Sequence, residues 1–170
     1  MKVIVFTLPD AEVKNETDRI TEMLESGVID RVHIRKPDMS AKDMSRLISG
    51  IPRILHGKLS IHSNPEILKE FPSVGWHFSS TRRYMDCSGL HSRSCHSPAE
   101  AAQWADRCDY VTLSPVFDSI SKPGYLSACF NPVEEFLCCQ YGKVVALGGV
   151  TPERLPRLKE RGYYGAAMLG

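Results

Sequence analysis

"VVALGGVTPERLPRLKERGYYGAAMLG", residues 144–170, decides the fold. It opens on a continuously apolar run, 144–147, and closes on another, 165–169. Between them stand Gly148-Gly149 and then Thr151-Pro152-Glu153, a capping residue followed by proline, which starts a helix. A strand, a helix start and a second strand make a β/α/β unit. Continuously apolar strands are expected where both faces of a parallel sheet are covered.

The same unit recurs toward the N-terminus. Further apolar or β-branched runs at 3–7, 31–35, 59–62, 75–78, 89–94 and 110–113 bring the strand count to eight. Helical patterns fall between them. Residues 16–24 place Ile20, Met23 and Leu24 on one face and stop at Gly27. Residues 40–51 open with Ser40 as N-cap and carry Met44, Leu47 and Ile48 at helical spacing. Asn64-Pro65-Glu66, Ser97-Pro98-Ala99-Glu100 and Asn131-Pro132 repeat the cap-then-proline signal, the second with a capping-box glutamate. Alternating strands and helices predict an α/β fold with a parallel sheet. Eight strands favour a closed (β/α)₈ TIM barrel over an open doubly wound sheet, as a single domain over 1–170.

The barrel is expected to be compact. The chain's 170 residues fall below the roughly 200 of a small TIM barrel. Residues 79–88 are too short and broken for a full fourth helix, and no eighth helix follows strand eight. Either the barrel is trimmed or the chain has lost its C-terminal end. A flank left bare in this way favours oligomerisation, so a homodimer is a candidate.

Composition narrows the function classes. Hydrophobic residues are 42% and charged residues 24%, ordinary for a globular protein. A net charge of +1 with no basic tract argues against a broad nucleic-acid surface. No apolar run approaches the roughly 20 residues that span a bilayer. The N-terminal MKVIVFTLPD is too short for a signal peptide, so a cytoplasmic protein is expected. The six cysteines form no Cys-x-x-Cys pair and read as buried free thiols, not as a zinc site or disulfides.

In a barrel, chemistry sits at the C-terminal ends of the strands. Those positions hold His33 and Arg35, His62 and Ser63, His77, Ser94 and His96, the loop "SPVFDSISKPGY" at 114–125, Gly148-Gly149, and Leu169-Gly170. Four of the six histidines fall there. Ser119, Ser121 and Lys122 supply hydroxyl donors and a charge-assisted donor. Gly148 and Gly149 let the backbone approach a phosphate, with the next helix start aimed at it. The ring suits a small anionic ligand.

Together, "VHIRK" (32–36), "GLHSRSCHSPAEAAQWADRCDYVTLSPVFDSISK" (89–122) and the opening stretch resemble the thiamine phosphate synthase / TenI superfamily, in register from about Met1 to Gly170. The resemblance implies one of two activities. Synthases join an aminopyrimidine diphosphate to a thiazole phosphate carboxylate, releasing pyrophosphate, and need Mg²⁺. The TenI branch moves a proton on the thiazole phosphate carboxylate without metal.

Position by position, the resemblance makes His96, Arg35 and Lys122 the catalytic candidates. Ser119, Ser121, Gly148, Gly149, Leu169 and Gly170 become the thiazole and phosphate cup. His33, Arg35, His62, Ser94 and Lys122 become the pocket for a pyrimidine diphosphate. The two metal carboxylates of synthases are replaced by Ser63 and about Arg82, with Asp86 or Asp38 as conceivable substitutes, so no metal and no other cofactor is assigned. The resemblance places His96 at the proton-transferring position of the TenI branch, and imidazole, with an unperturbed pKa of about 6.5, suits that task. The expectation is a TenI-type thiazole tautomerase. A thiamine phosphate synthase using Mg²⁺, a non-catalytic phosphate-ligand binder and another phosphosugar-type barrel enzyme are the rivals. The expected partners are small phosphorylated molecules.

Overall fold

The apolar runs pair, each with the next, as parallel strands: β1 (Lys2–Phe6), β2 (Arg31–Ile34), β3 (Leu59–Ile61), β4 (Gly75–Phe78), β5 (His91–Cys95), β6 (Tyr110–Leu113), β7 (Val144–Ala146) and β8 (Gly165–Leu169). β8 pairs back onto β1, with Ile4 opposite Ala167 and Phe6 opposite Leu169, so the sheet closes into a barrel. The computed structural model describes residues 1–10, 13–81, 85–118 and 126–169. One strand departs from expectation. β5 begins at His91 instead of 89, where a side chain on Gly89 would meet the Val74 carbonyl oxygen at 2.1 Å.

Among the described residues five α-helices pack outside: α1 (Glu16–Glu25), α2 (Ala41–Ser49), α3 (Pro98–Ala105), α4 (Pro132–Cys139) and α5 (Leu155–Glu160). The capping readings hold where the side chain can reach the first turn. Ser40 accepts from Asp43 N, Ser97 from Glu100 N, and Asn131 from Val133 N and Glu134 N. Asn64 takes a left-handed conformation instead, without a side-chain cap, and the segment it starts is the 3₁₀ helix Pro65–Lys69. A short 3₁₀ turn, Pro152–Arg154, likewise precedes α5. Between β4 and β5 the described residues form no helix, as 79–88 predicted.

Strand side chains alternate between the barrel's outside and inside. Outward Val32, Ile34, Leu59, Ile61, Trp76 and Phe78 form one core with Ile20 and Leu24 of α1 and Met44 and Ile48 of α2. Outward Val111, Leu113, Val144, Ala146 and Ala166 form a second with Ala101, Cys138 and Leu158 of α3, α4 and α5. Inside lie Ile4, Phe6, Val145 and Ala167 on one side, and the buried polar residues His33, Ser60, His77, Ser92 and Thr112 on the other. The six cysteines are free. Four are buried, but Cys87 is half-buried and Cys129 exposed, against the expectation that all are buried. No helix among the described residues is long and apolar enough to cross a membrane.

Candidate active site at the mouth of the barrel

A cavity of about 370 Å³ opens at the C-terminal ends of β2 to β5. Arg35, His62, Ser63, His77, Ser94 and His96 line it. Arg35 is exposed at the end of β2, its backbone N–H donating to Thr7 Oγ1 at 3.0 Å. Its neighbour Lys36 is turned away and fully buried. It pairs with Glu16 at 2.7 Å and donates to the Asp10 carbonyl at 2.5 Å, tying β2 to the β1 loop.

His33 does not reach the rim, and His77 touches the cavity only from beneath. Both are buried inside the barrel, at 0% and 1% exposure. His33 Nε2 meets the Tyr110 hydroxyl across the barrel, and its Nδ1 lies 2.9 Å from His62 Nε2. His77 Nδ1 lies 2.8 Å from Ser92 Oγ and its Nε2 2.8 Å from Ser94 Oγ. Phe6 stacks on the His33 ring at 4.4 Å. Burial holds both imidazoles neutral. His33 is pushed well below the usual histidine range by desolvation and then by its neighbours His77 and His62. His77 is pushed to about 3 by desolvation and then by the Arg93 charge.

His96 stands exposed at the head of α3. The residues around it lock the turn: Glu100 accepts from the His96 backbone N–H at 2.9 Å, and Ser97 accepts from Glu100 N at 3.2 Å. His96 Nδ1 lies 3.3 Å from the Ser114 carbonyl oxygen. The Ser114 hydroxyl lies 3.5 Å from the same nitrogen, so Ser114 holds the ring, and the tautomer follows which of its two oxygens Nδ1 engages.

The glycine pair follows β7, away from this cavity. Gly148 and Gly149 have φ of 92° and 61°, and a side chain on Gly149 would sit 2.1 Å from the Asp118 carbonyl oxygen. Only glycine suits that left-handed, crowded position. The loop after β6 is stitched to this pair, Val116 N donating to Leu147 O and Phe117 N to Gly148 O. Arg154 donates to the Gly149 carbonyl and covers the Phe117 ring at 4.7 Å. Leu169 ends β8, 54% exposed. Ser119, Ser121, Lys122 and Gly170, and Arg82 at the second family carboxylate position, lie outside the described residues.

The conceivable substitute carboxylates are elsewhere. Asp86 sits 3.6 Å from His91 Nε2, and His91 opens β5, so Asp86 belongs to the opposite end of the barrel from the mouth. Asp38 lines a separate surface cleft with Asn15, Ser40 and Asp43. The described residues lining this cavity offer imidazoles, hydroxyls and a guanidinium, and no carboxylate. That donor set does not fit Mg²⁺, which takes oxygen ligands and favours carboxylates.

Residues 3–170 match the family model described as thiamine monophosphate synthase. The chain belongs to this family. A thiamine-phosphate synthase of Nitrosococcus oceani is 26% identical over 132 residues, covering 71% of this chain and 61% of that protein. The matched stretch thus spans less than two thirds of the curated relative. A thiamine phosphate pyrophosphorylase from Bacteroides thetaiotaomicron superposes over 100% of this chain and 83% of that one, at 31% identity and a TM-score of 0.82. One from Pyrococcus furiosus, at 17% identity, covers 99% of this chain and 85% of that one with a TM-score of 0.77, and shares the fold.

Of the residues predicted for the site, the mouth brings together Arg35, His62, Ser94 and His96. His33 lies beneath them, and Gly148, Gly149 and Leu169 do not line this cavity. Two residues that touch these imidazoles, Ser92 and Tyr110, were not predicted for the site. Their signal was parity. Each occupies an inward strand position, paired in register next to another one (His77 opposite Ser92, Ser92 opposite Tyr110).

Proposed function

We propose that the mouth binds a thiazole phosphate carboxylate and that His96 moves a proton on it, a tautomerisation of the TenI type that needs no magnesium. The observation that carries this reading is His96 itself: an exposed imidazole, its Nδ1 held beside Ser114, at the edge of a cavity with no carboxylate among the described residues. Nε2 takes a proton from one carbon of the ligand and returns it to another, so no bond to oxygen or phosphorus breaks. Arg35 and Lys122 hold the anionic groups. Ser119, Ser121, Gly148, Gly149, Leu169 and Gly170 form the phosphate cup, and His62 and Ser94 bound the ligand on the β3 to β5 side.

His96→Ala tests the proton step. Conversion should fall by roughly 10²- to 10⁴-fold, as for loss of a general base, with thiazole phosphate binding retained by calorimetry. Unchanged turnover overturns the reading. The second reading is synthesis of thiamine phosphate. The 31% identity to a thiamine phosphate pyrophosphorylase over the whole chain favours it. Purified protein given both substrates and Mg²⁺ would then form thiamine phosphate, and no product above background would reject it.

A further inference from the structure

We propose that His33, His62 and His77 form a three-imidazole site for a divalent transition-metal ion of the zinc class, set just inside the mouth of the barrel. One nitrogen from each ring lies within 4.8 Å of the other two, and the His33–His62 pair is 2.9 Å apart. In a tetrahedral zinc site, with Zn–N distances of about 2.0–2.1 Å, ligand nitrogens stand about 3.3 Å apart. That value falls within the range the three rings already span, so small ring rotations complete the site.

The outer nitrogens are placed as a metal site requires. A ligating histidine hands its other ring nitrogen to a fixed partner, which sets tautomer and orientation. His33 gives Nε2 to the Tyr110 hydroxyl while Nδ1 faces His62. His77 gives Nδ1 to Ser92, the deeper of the two serines on β5, while Nε2 lies on the mouth side with Ser94. Phe6 stacks on His33 at 4.4 Å and meets the His62 and His77 rings edge-on at 5.2 and 6.1 Å, limiting their rotation.

The donor type selects the ion. Imidazole suits zinc, cobalt, nickel and copper, whereas magnesium wants oxygen. Three protein ligands leave a fourth position, which faces the cavity holding Arg35, Ser63 and Ser94. Water or an anionic oxygen of a bound ligand fits there. The site shares His62 with the ligand-binding face of the proposed function but uses neither His96 nor the loop after β6, and ion binding is measured without either reaction.

Protein stripped with a chelator and titrated with Zn²⁺ should bind one ion per chain by calorimetry. Mg²⁺ in large excess should not compete. With Co²⁺ as probe, the visible spectrum should be that of a four- or five-coordinate site. His62→Ala should weaken Zn²⁺ binding by more than the roughly 10- to 100-fold that loss of an outer partner costs. His96→Ala should bind as the unmodified chain does. X-ray absorption on the zinc-loaded unmodified protein needs no variant and should count three imidazoles. Absence of stoichiometric binding, competition by Mg²⁺, unchanged affinity in His62→Ala or an imidazole count below three each overturns the proposal.

Discussion

The two halves of the barrel interior follow different rules. On β7, β8 and β1 the inward residues are Val145, Ala167, Ile4 and Phe6, the branched and small apolar filling usual for this fold. On β2 to β5 they are His33, Ser60, His77 and Ser92, all buried to within 1% exposure. The apolar half holds through burial and close packing, which any residues of the right volume could supply. The polar half holds only while every ring nitrogen has a partner, because an unpaired buried polar group costs about 1–3 kcal/mol. A barrel needs no such half for stability. The polar half lies directly beneath the mouth.

The sharpest way to break the contrast is to put a charge in the apolar half. Val145→Asp should cost more than about 4 kcal/mol and abolish the cooperative thermal transition followed by circular dichroism. A folded, stable variant would show that the interior is wetter there than its packing implies.

Acid should act on the polar half alone. The folded state keeps His33 and His77 neutral, with His77 titrating at about 3 and His33 well below the usual range. The unfolded chain takes up protons at about 6.5, so it binds more protons than the folded one below that pH. In metal-free protein this contribution to stability is fully present above about pH 6.5. It is lost as pH falls toward 3. Denaturant melts at pH 7, 6, 5 and 4 should show the decline, and His77→Phe should flatten it. A flat profile in the unmodified chain would mean that the rings are solvated.

The smallest effect sharpens the comparison by removing one partner. Ser92→Ala leaves His77 Nδ1 without its hydroxyl at 2.8 Å and should cost about 1–3 kcal/mol in denaturant unfolding. Deleting one oxygen from an apolar interior would cost nothing. A neutral result would show that His77 finds another partner.

Much of the fold was legible in the residues. Apolar runs bounded by Gly, Pro and cap residues are local signals, and all eight strands and the caps at Ser40, Ser97 and Asn131 could be read from them. The short helix expected from Asn64-Pro65-Glu66 forms as a 3₁₀ turn, but Asn64 makes no side-chain cap, because the same Asn-Pro signal also suits a left-handed residue. At the site, His62, Ser94 and His96 could be placed because strand ends mark the mouth. The depth of His33 and His77 could not, since that depends on which strand face turns inward and how far along the barrel each strand is staggered. Asp86 shows the same limit: close in sequence to a strand-four loop, it ends at the opposite face, beside His91.

What the amino-acid sequence determined by itself was the succession of strands and helices and the family to which the chain belongs, because hydrophobic period, turn chemistry and cap residues act over a few positions. The tertiary structure alone decided which side chains meet inside the barrel. Three histidines on three different strands come together only when the sheet closes in one register, and their neutrality comes from burial that no local stretch contains.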